Sequence, residues 1–131
     1  MPTTCVICGG WAAEELEVLD DVLEAVLGAV PPVIVLGRDD LRAARVSDLL
    51  VPAVLASRDH EIPSQPPDLR LPIVIFGGID APRLRLCLSG LATKLSGRRF
   101  LRAVLVRKAL GKSVQQLYGE ILQDHERNQA Q

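Results

Sequence analysis

The sequence predicts a single α/β domain of two pseudo-equivalent strand-helix-strand-helix halves around a mostly parallel sheet, and three observations carry that prediction. The run Val6-Ile7-Cys8-Gly9-Gly10 returns 68 residues later as Val74-Ile75-Phe76-Gly77-Gly78. At the same offset Leu16, Leu23, Leu27 and Leu49 meet Leu84, Leu91, Leu95 and Leu117, so the correspondence continues through the helices. Short aliphatic runs alternate with longer amphipathic ones, the pattern of strands joined through helices. Self-similarity at a long period marks a structural unit used twice. The first unit spans 3–51 and the second 73–127, with a connector over 52–72.

Thr4 to Cys8 reads as a strand closed by the Gly9-Gly10 turn. From Ala12 to Gly28 the apolar residues Leu16, Leu19, Val22, Leu23, Val26 and Leu27 recur at helical spacing, with Glu14 and Glu15 at the positive end of the dipole. Gly28 and Pro31-Pro32 stop that helix. Val33 to Leu36, aliphatic throughout, predicts a strand buried on both faces. Asp39 or Asp40 caps a shorter helix reaching about Leu50, and Ala53 to Ala56 suggests one more short strand.

Asp59 to Pro72 holds four prolines and little periodicity, so it reads as an extended connector. Ile73 to Phe76 is the next strand, followed by Gly77-Gly78 and a helix start at Asp80 and Pro82. Leu84, Cys87, Leu88, Leu91 and Leu95 form that helix's buried stripe. Ala103 to Val106 is the last strand, and Ser113 to Gln116 fits a capping box before a stripe of Val114, Leu117, Tyr118, Ile121 and Leu122. The end from Asn128 is expected to fray.

Composition limits the function classes. The chain of 131 residues is 48% hydrophobic and 24% charged, the balance of a globular protein. Only 3% is aromatic, namely Trp11, Phe76, Phe100 and Tyr118, so the core is aliphatic and too few rings exist for a single-stranded nucleic-acid platform. No apolar stretch is long enough to cross a bilayer, and the expected location is the cytoplasm, or an organelle interior after loss of a transit peptide. The net charge of −1 conceals a division: through Val51 there are nine acidic and three basic residues, and from Pro52 onward seven acidic and twelve basic. Between Arg83 and Lys112 no Asp or Glu interrupts the Lys and Arg residues.

Candidate chemistry begins with the two glycine turns. With strand order 2-1-3-4 and parallel central strands, both pairs sit at one rim, where the connections diverge and ligands bind. Gly9, Gly10, Trp11, Gly77, Gly78 and Asp80 are therefore the candidate ligand-binding residues, for a small anion or nucleotide held by helix N-termini. Neither turn carries the full dinucleotide fingerprint or a phosphate-loop lysine, and Asp80, Glu14 and Glu15 place carboxylates where an anion would sit. Tight turns are the simpler account.

Cys5 and Cys8 have a Cys-x-x-Cys spacing, but both fall within a strand and point to opposite faces, while Cys87 lies on a helix stripe. Buried reduced thiols are the expectation. His60 lies in the connector and His125 at the end of the last helix, with no nucleophile elbow, metal-ligand pair or carboxylate dyad beside them. No catalytic residue, metal or cofactor is assigned. The charge division supplies a candidate interface instead: Glu17, Asp20, Asp21 and Glu24 on the first helix, with Arg98, Arg99, Arg102, Arg107 and Lys108 around the last strand. Such blocks bind a partner, or the acidic half faces the basic half within one molecule or across a dimer.

Leu71 to Glu126 resembles a family of small α/β domains of unknown function. The resemblance lies in the aliphatic strand with Gly77-Gly78, the Leu-rich helix, Ala103-Val104-Leu105-Val106, and a last helix with Leu117, Glu120, His125 and Glu126. Members of that family carry Thr and Asn after the second strand and Trp before the last helix, where this chain has Arg107, Lys108 and Ser113. The resemblance implies a fold and no activity. The leading expectation is thus a non-enzymatic protein-interaction or regulatory module, self-associating or with another protein; the alternative is the anion-binding domain at the glycine turns.

Overall fold

The computed structural model describes residues 4–129, so position 3 and the last two residues of the expected frayed end lie outside it. The order of elements is β1 (Cys5–Gly9), α1 (Ala13–Leu27), β2 (Val33–Val35), α2 (Arg38–Ala43), α3 (Val46–Leu49), α4 (Pro52–Arg58), β3 (Ile73–Gly77), α5 (Ala81–Lys94), β4 (Leu101–Val104), a 3-10 turn (Arg107–Gly111) and α6 (Val114–Gln129). One four-stranded sheet runs β2-β1-β3-β4. The outer pairs are parallel, with Val6 opposite Val33 and Ile73 opposite Leu101. The central pair β1–β3 is antiparallel.

That reversal corrects the placement of the glycine turns. Gly9 lies opposite Ile73 at the start of β3, and Gly77 lies opposite Cys5 at the start of β1. The two turns therefore occupy opposite ends of the sheet, and no shared rim forms. The register is symmetric as well: Ile7 faces Ile75, Val6 faces Phe76 and Cys8 faces Val74. Ile7 and Ile75 are also partners at the 68-residue offset, so an approximate two-fold passes through their pair and exchanges the two β-α-β units.

An axis normal to the sheet leaves α1 and α5 on the same face, and there they pack together. Leu19, Val22 and Leu23 of α1 join Cys87 and Leu91 of α5 over Val6, Cys8, Val74 and Phe76. A tight contact between them falls on the same axis, since a Cβ on Gly90 would lie 3.1 Å from Cγ1 of Val22, again residues 68 apart. On the other face Val46, Leu49, Leu55 and Val114 cover Cys5, Ile7, Ile34, Ile73 and Ile75. Alternate residues of every central strand thus enter separate cores, which explains the unbroken aliphatic runs.

Local signals account for most boundaries. Asp80 caps α5, accepting the Arg83 N–H at 3.2 Å. Ser113 accepts from the Gln116 N–H at 3.0 Å, but the Gln116 side chain reaches Glu120, so only half of the capping box forms. At α2 the cap position is Gly37; Asp40 reaches back to its N–H at 2.7 Å. The helix expected to reach Leu50 is divided, because Ala44 accepts from Val114 N–H and Lys112 accepts from Val46 N–H, both at 3.0 Å. The short strand expected over Ala53 to Ala56 is helix α4, begun by Pro52 where a missing N–H costs nothing. The last strand starts two residues earlier than expected, at Leu101, and α6 continues to Gln129 without fraying at Asn128.

The crossing of α1 over α5 yields a stability test. Gly90→Leu is expected to lower the urea midpoint by an amount worth about 1–3 kcal/mol, because the added side chain enters the Val22 contact. Gly119→Ala, on a turn of α6 where a Cβ meets nothing within 4 Å, is expected to raise stability by up to about 1 kcal/mol. Equal effects of the two substitutions would refute the tight crossing.

Candidate interaction surface

The two outer strands are equivalent under the approximate two-fold, yet their free edges differ. At β2 the edge is sealed by the segment that leaves α4. Asp59 accepts from the Val33 N–H at 2.9 Å, His60 N–H donates to the Val33 carbonyl at 2.8 Å, and Arg58 donates to the Val35 carbonyl at 3.2 Å. Each part of this seal is anchored in turn. Arg58 forms a two-pronged pair with Asp40, both contacts 2.8 Å. His60 sits between Asp59 and Asp20, at 2.5 Å from Nδ1 and 2.9 Å from Nε2. Its φ of 61° is left-handed, a conformation that costs a non-glycine residue energy and persists because these contacts hold it.

Charge strengthens the seal. Burial alone raises the pKa of Asp40, but the Arg58 guanidinium and the Gly37 N–H outweigh it and hold the carboxyl below its ordinary value. For His60 partial burial acts to lower the pKa; the carboxylates of Asp20 and Asp59 outweigh it, and the net shift is upward.

At β4 no equivalent seal is made by the described residues. Leu101 and Leu105 donate to the Pro72 and Phe76 carbonyls of the β3 side, at 2.8 and 2.7 Å. By the alternation of a strand, the N–H and C=O of Arg102 and Val104 and the N–H of Val106 face away from the sheet. None of these groups bonds to another described residue. The side chains beside them are Val104, 51% exposed, and Val106, 54% exposed. On the α6 side a groove of about 430 Å³ follows the strand, lined by Arg102, Ala103, Ile121, Asp124, His125 and Asn128. The Nε2 of His125 is buried there without a hydrogen-bond partner.

The basic candidates surround this edge. Arg102 lies on β4, its guanidinium 5.4 Å from the Phe100 ring centroid. Arg107 and Lys108, on the 3-10 turn beyond the strand, are exposed and meet no carboxylate among the described residues. Arg98 is engaged within the molecule, donating to Glu15 at 2.8 Å, and Arg99 precedes β4 with a partner of its own. Of the acidic candidates, Glu17, Asp21 and Glu24 are exposed on α1, whereas Asp20 is half-buried against His60.

The six glycine-turn candidates fall apart into two groups. Gly9 and Gly10 are packed, with a Cβ on Gly9 reaching Leu36 at 3.2 Å and one on Gly10 reaching Pro72 at 3.1 Å. Trp11 donates its indole N–H to the Ile73 carbonyl at 2.8 Å and sets its ring 5.2 Å from that of Phe100. Gly77 is closed in by Cys5 and Leu105, both 3.1 Å from an added Cβ. Gly78 accepts from the Thr4 hydroxyl at 3.0 Å, and Asp80 is occupied by Arg83 and its cap. At the start of α1, Glu15 already accepts from the Ala12 N–H at 2.8 Å.

The three cysteines are buried and free, Cys5 in one core and Cys8 and Cys87 in the other. Burial pushes all three thiols up; Cys8, near the Asp20 charge, is raised to about 12. Among the described residues no three His, Cys, Asp or Glu side chains gather as a metal-ligand group, and no helix is long and apolar enough to cross a membrane. No protein-family model, curated protein or solved structure matches this chain.

Two measurements follow from these contacts. Because the folded pKa of His60 is raised, its contribution to stability is fully present below about pH 6.5 and is lost as pH rises through the folded value. His60→Asn, which tolerates the left-handed backbone, is expected to lower the urea midpoint at about pH 5.5, with the gap to the native chain narrowing by about pH 8.5. A gap that widens with pH would show the carboxylates are not its source. Ellman titration of the native protein is expected to find no thiol reacting rapidly at neutral pH, and all three reacting once the chain is unfolded.

Proposed function

We propose that the chain is a non-enzymatic protein-interaction module whose working surface is the outer edge of β4. The observation that carries this reading is the difference between two equivalent edges. Sheet edges expose rows of unpaired N–H and C=O groups, and proteins ordinarily blunt them. Here the β2 edge is blunted by Arg58, Asp59 and His60, while the β4 edge keeps two exposed valines beside its open backbone groups. Arg102, Arg107 and Lys108 flank it and favour an acidic partner. The packed glycine turns count against an anion site there, and the buried, raised thiols against nucleophilic chemistry. In this reading the two β-α-β units are copies of one ancestral unit, and the second has kept its edge available.

Photocrosslinking in host extract tests the assignment. A benzophenone amino acid in place of Val104 is expected to give protein adducts that the same group in place of Ser57, exposed on α4 beside the sealed edge, does not. Adducts absent at both positions, or equal at both, would overturn it.

A further inference from the structure

We infer that the β4 edge takes up an extended segment of a partner protein as a fifth strand, and that the segment is aliphatic at its centre and acidic at its ends. The inference rests on the interaction-module reading and specifies its partner. Backbone groups give such a union its strength, and alternate side chains give it selectivity. The open groups of Arg102, Val104 and Val106 repeat at every second residue, the spacing an added strand needs. Val104 and Val106 form an apolar centre. Arg102 stands at one end of it and Arg107 with Lys108 at the other, and no Asp or Glu occurs between Arg83 and Lys112.

The same charges decide against a second copy of this chain as occupant. Antiparallel pairing of β4 with itself would bring Arg102, Arg107 and Lys108 of both copies along one seam, where like charges repel. On the α6 side the incoming strand lies along the groove lined by Ala103, Ile121 and His125. Asp124 lies in that groove with Arg127 at 3.8 Å, so the acidic positions of the partner belong beside Arg102, Arg107 and Lys108.

The test uses the whole chain and the peptide fluorescein-Gly-Gly-Asp-Glu-Val-Thr-Val-Thr-Glu-Asp-amide, labelled at its N-terminal amine, with a Lys-for-acid counterpart as control. Anisotropy is expected to show saturable binding of the acidic peptide only, weakening as salt rises. Amide exchange is expected to slow at Arg102, Val104 and Val106. Val104→Pro removes an N–H that the sheet does not use, so the fold persists while peptide affinity drops by roughly tenfold. The double variant Arg107→Glu, Lys108→Glu is expected to weaken binding and flatten its salt dependence.

Binding that survives Val104→Pro without amide protection would show charge attraction alone and overturn the fifth strand. A Lys peptide that binds as well as the acidic one would overturn the partner's chemistry, and a dimer in sedimentation that is lost in Val104→Pro would identify a second copy as the occupant. If crosslinks at position 104 persist while the acidic peptide fails to bind, the inference falls and the interaction module stands. If both fail, both readings fall.

Discussion

The antiparallel pairing of β1 with β3 is the constraint from which the rest of the architecture follows. Ten residues lie in two strands with Ile7 against Ile75 at the centre, and the hydrogen-bonded register admits no sliding. A slip of one residue would turn one strand over and drive either Val6 and Cys8 or Val74 and Phe76 out of the layer under α1 and α5. Because the pairing is symmetric, each unit's crossover helix is carried to the same face. The helices then meet where one offers Val22 and the other only a hydrogen, at Gly90. The symmetry of the sheet is thus completed by an asymmetric pair of residues.

Much of the fold was legible because its signals are local. Strand runs, helical stripes and the Asp80 cap each depend on a few neighbouring residues, and the structure places β1, α1, β3, α5 and α6 close to where periodicity puts them. Strand direction was not legible. A run such as Val74-Ile75-Phe76, buried on both faces, presents the same hydrophobicity to a parallel or an antiparallel neighbour. The connector had to reverse the chain, and its prolines carry no record of the angle through which it turns. Ala53 to Ala56 failed for a related reason, since four apolar residues fit a strand or a helix turn equally, and Pro52 was the discriminating signal.

The candidate surface was half legible. The excess of Lys and Arg from Arg83 to Lys112 marked the neighbourhood of β4, but charge counting assigned equal weight to Arg98, which Glu15 engages, and to Arg102 and Arg107. The acidic block likewise included Asp20, whose carboxylate serves His60. What makes the surface a surface is an edge, and an edge exists only once strand order and pairing are known. The seal on β2 was equally hidden, because Arg58-Asp59-His60 looks like the polar end of a helix until Asp40, Asp20 and Val33 are brought to it.

The closed rim beside β2 limits where the sheet can be extended. A molecule with two available rims joins neighbours on both sides and polymerises without limit, whereas one with a single available rim is saturated after one addition. The contacts of Arg58 and His60 close the β2 side of the sheet to a further strand and leave any growth to the β4 side.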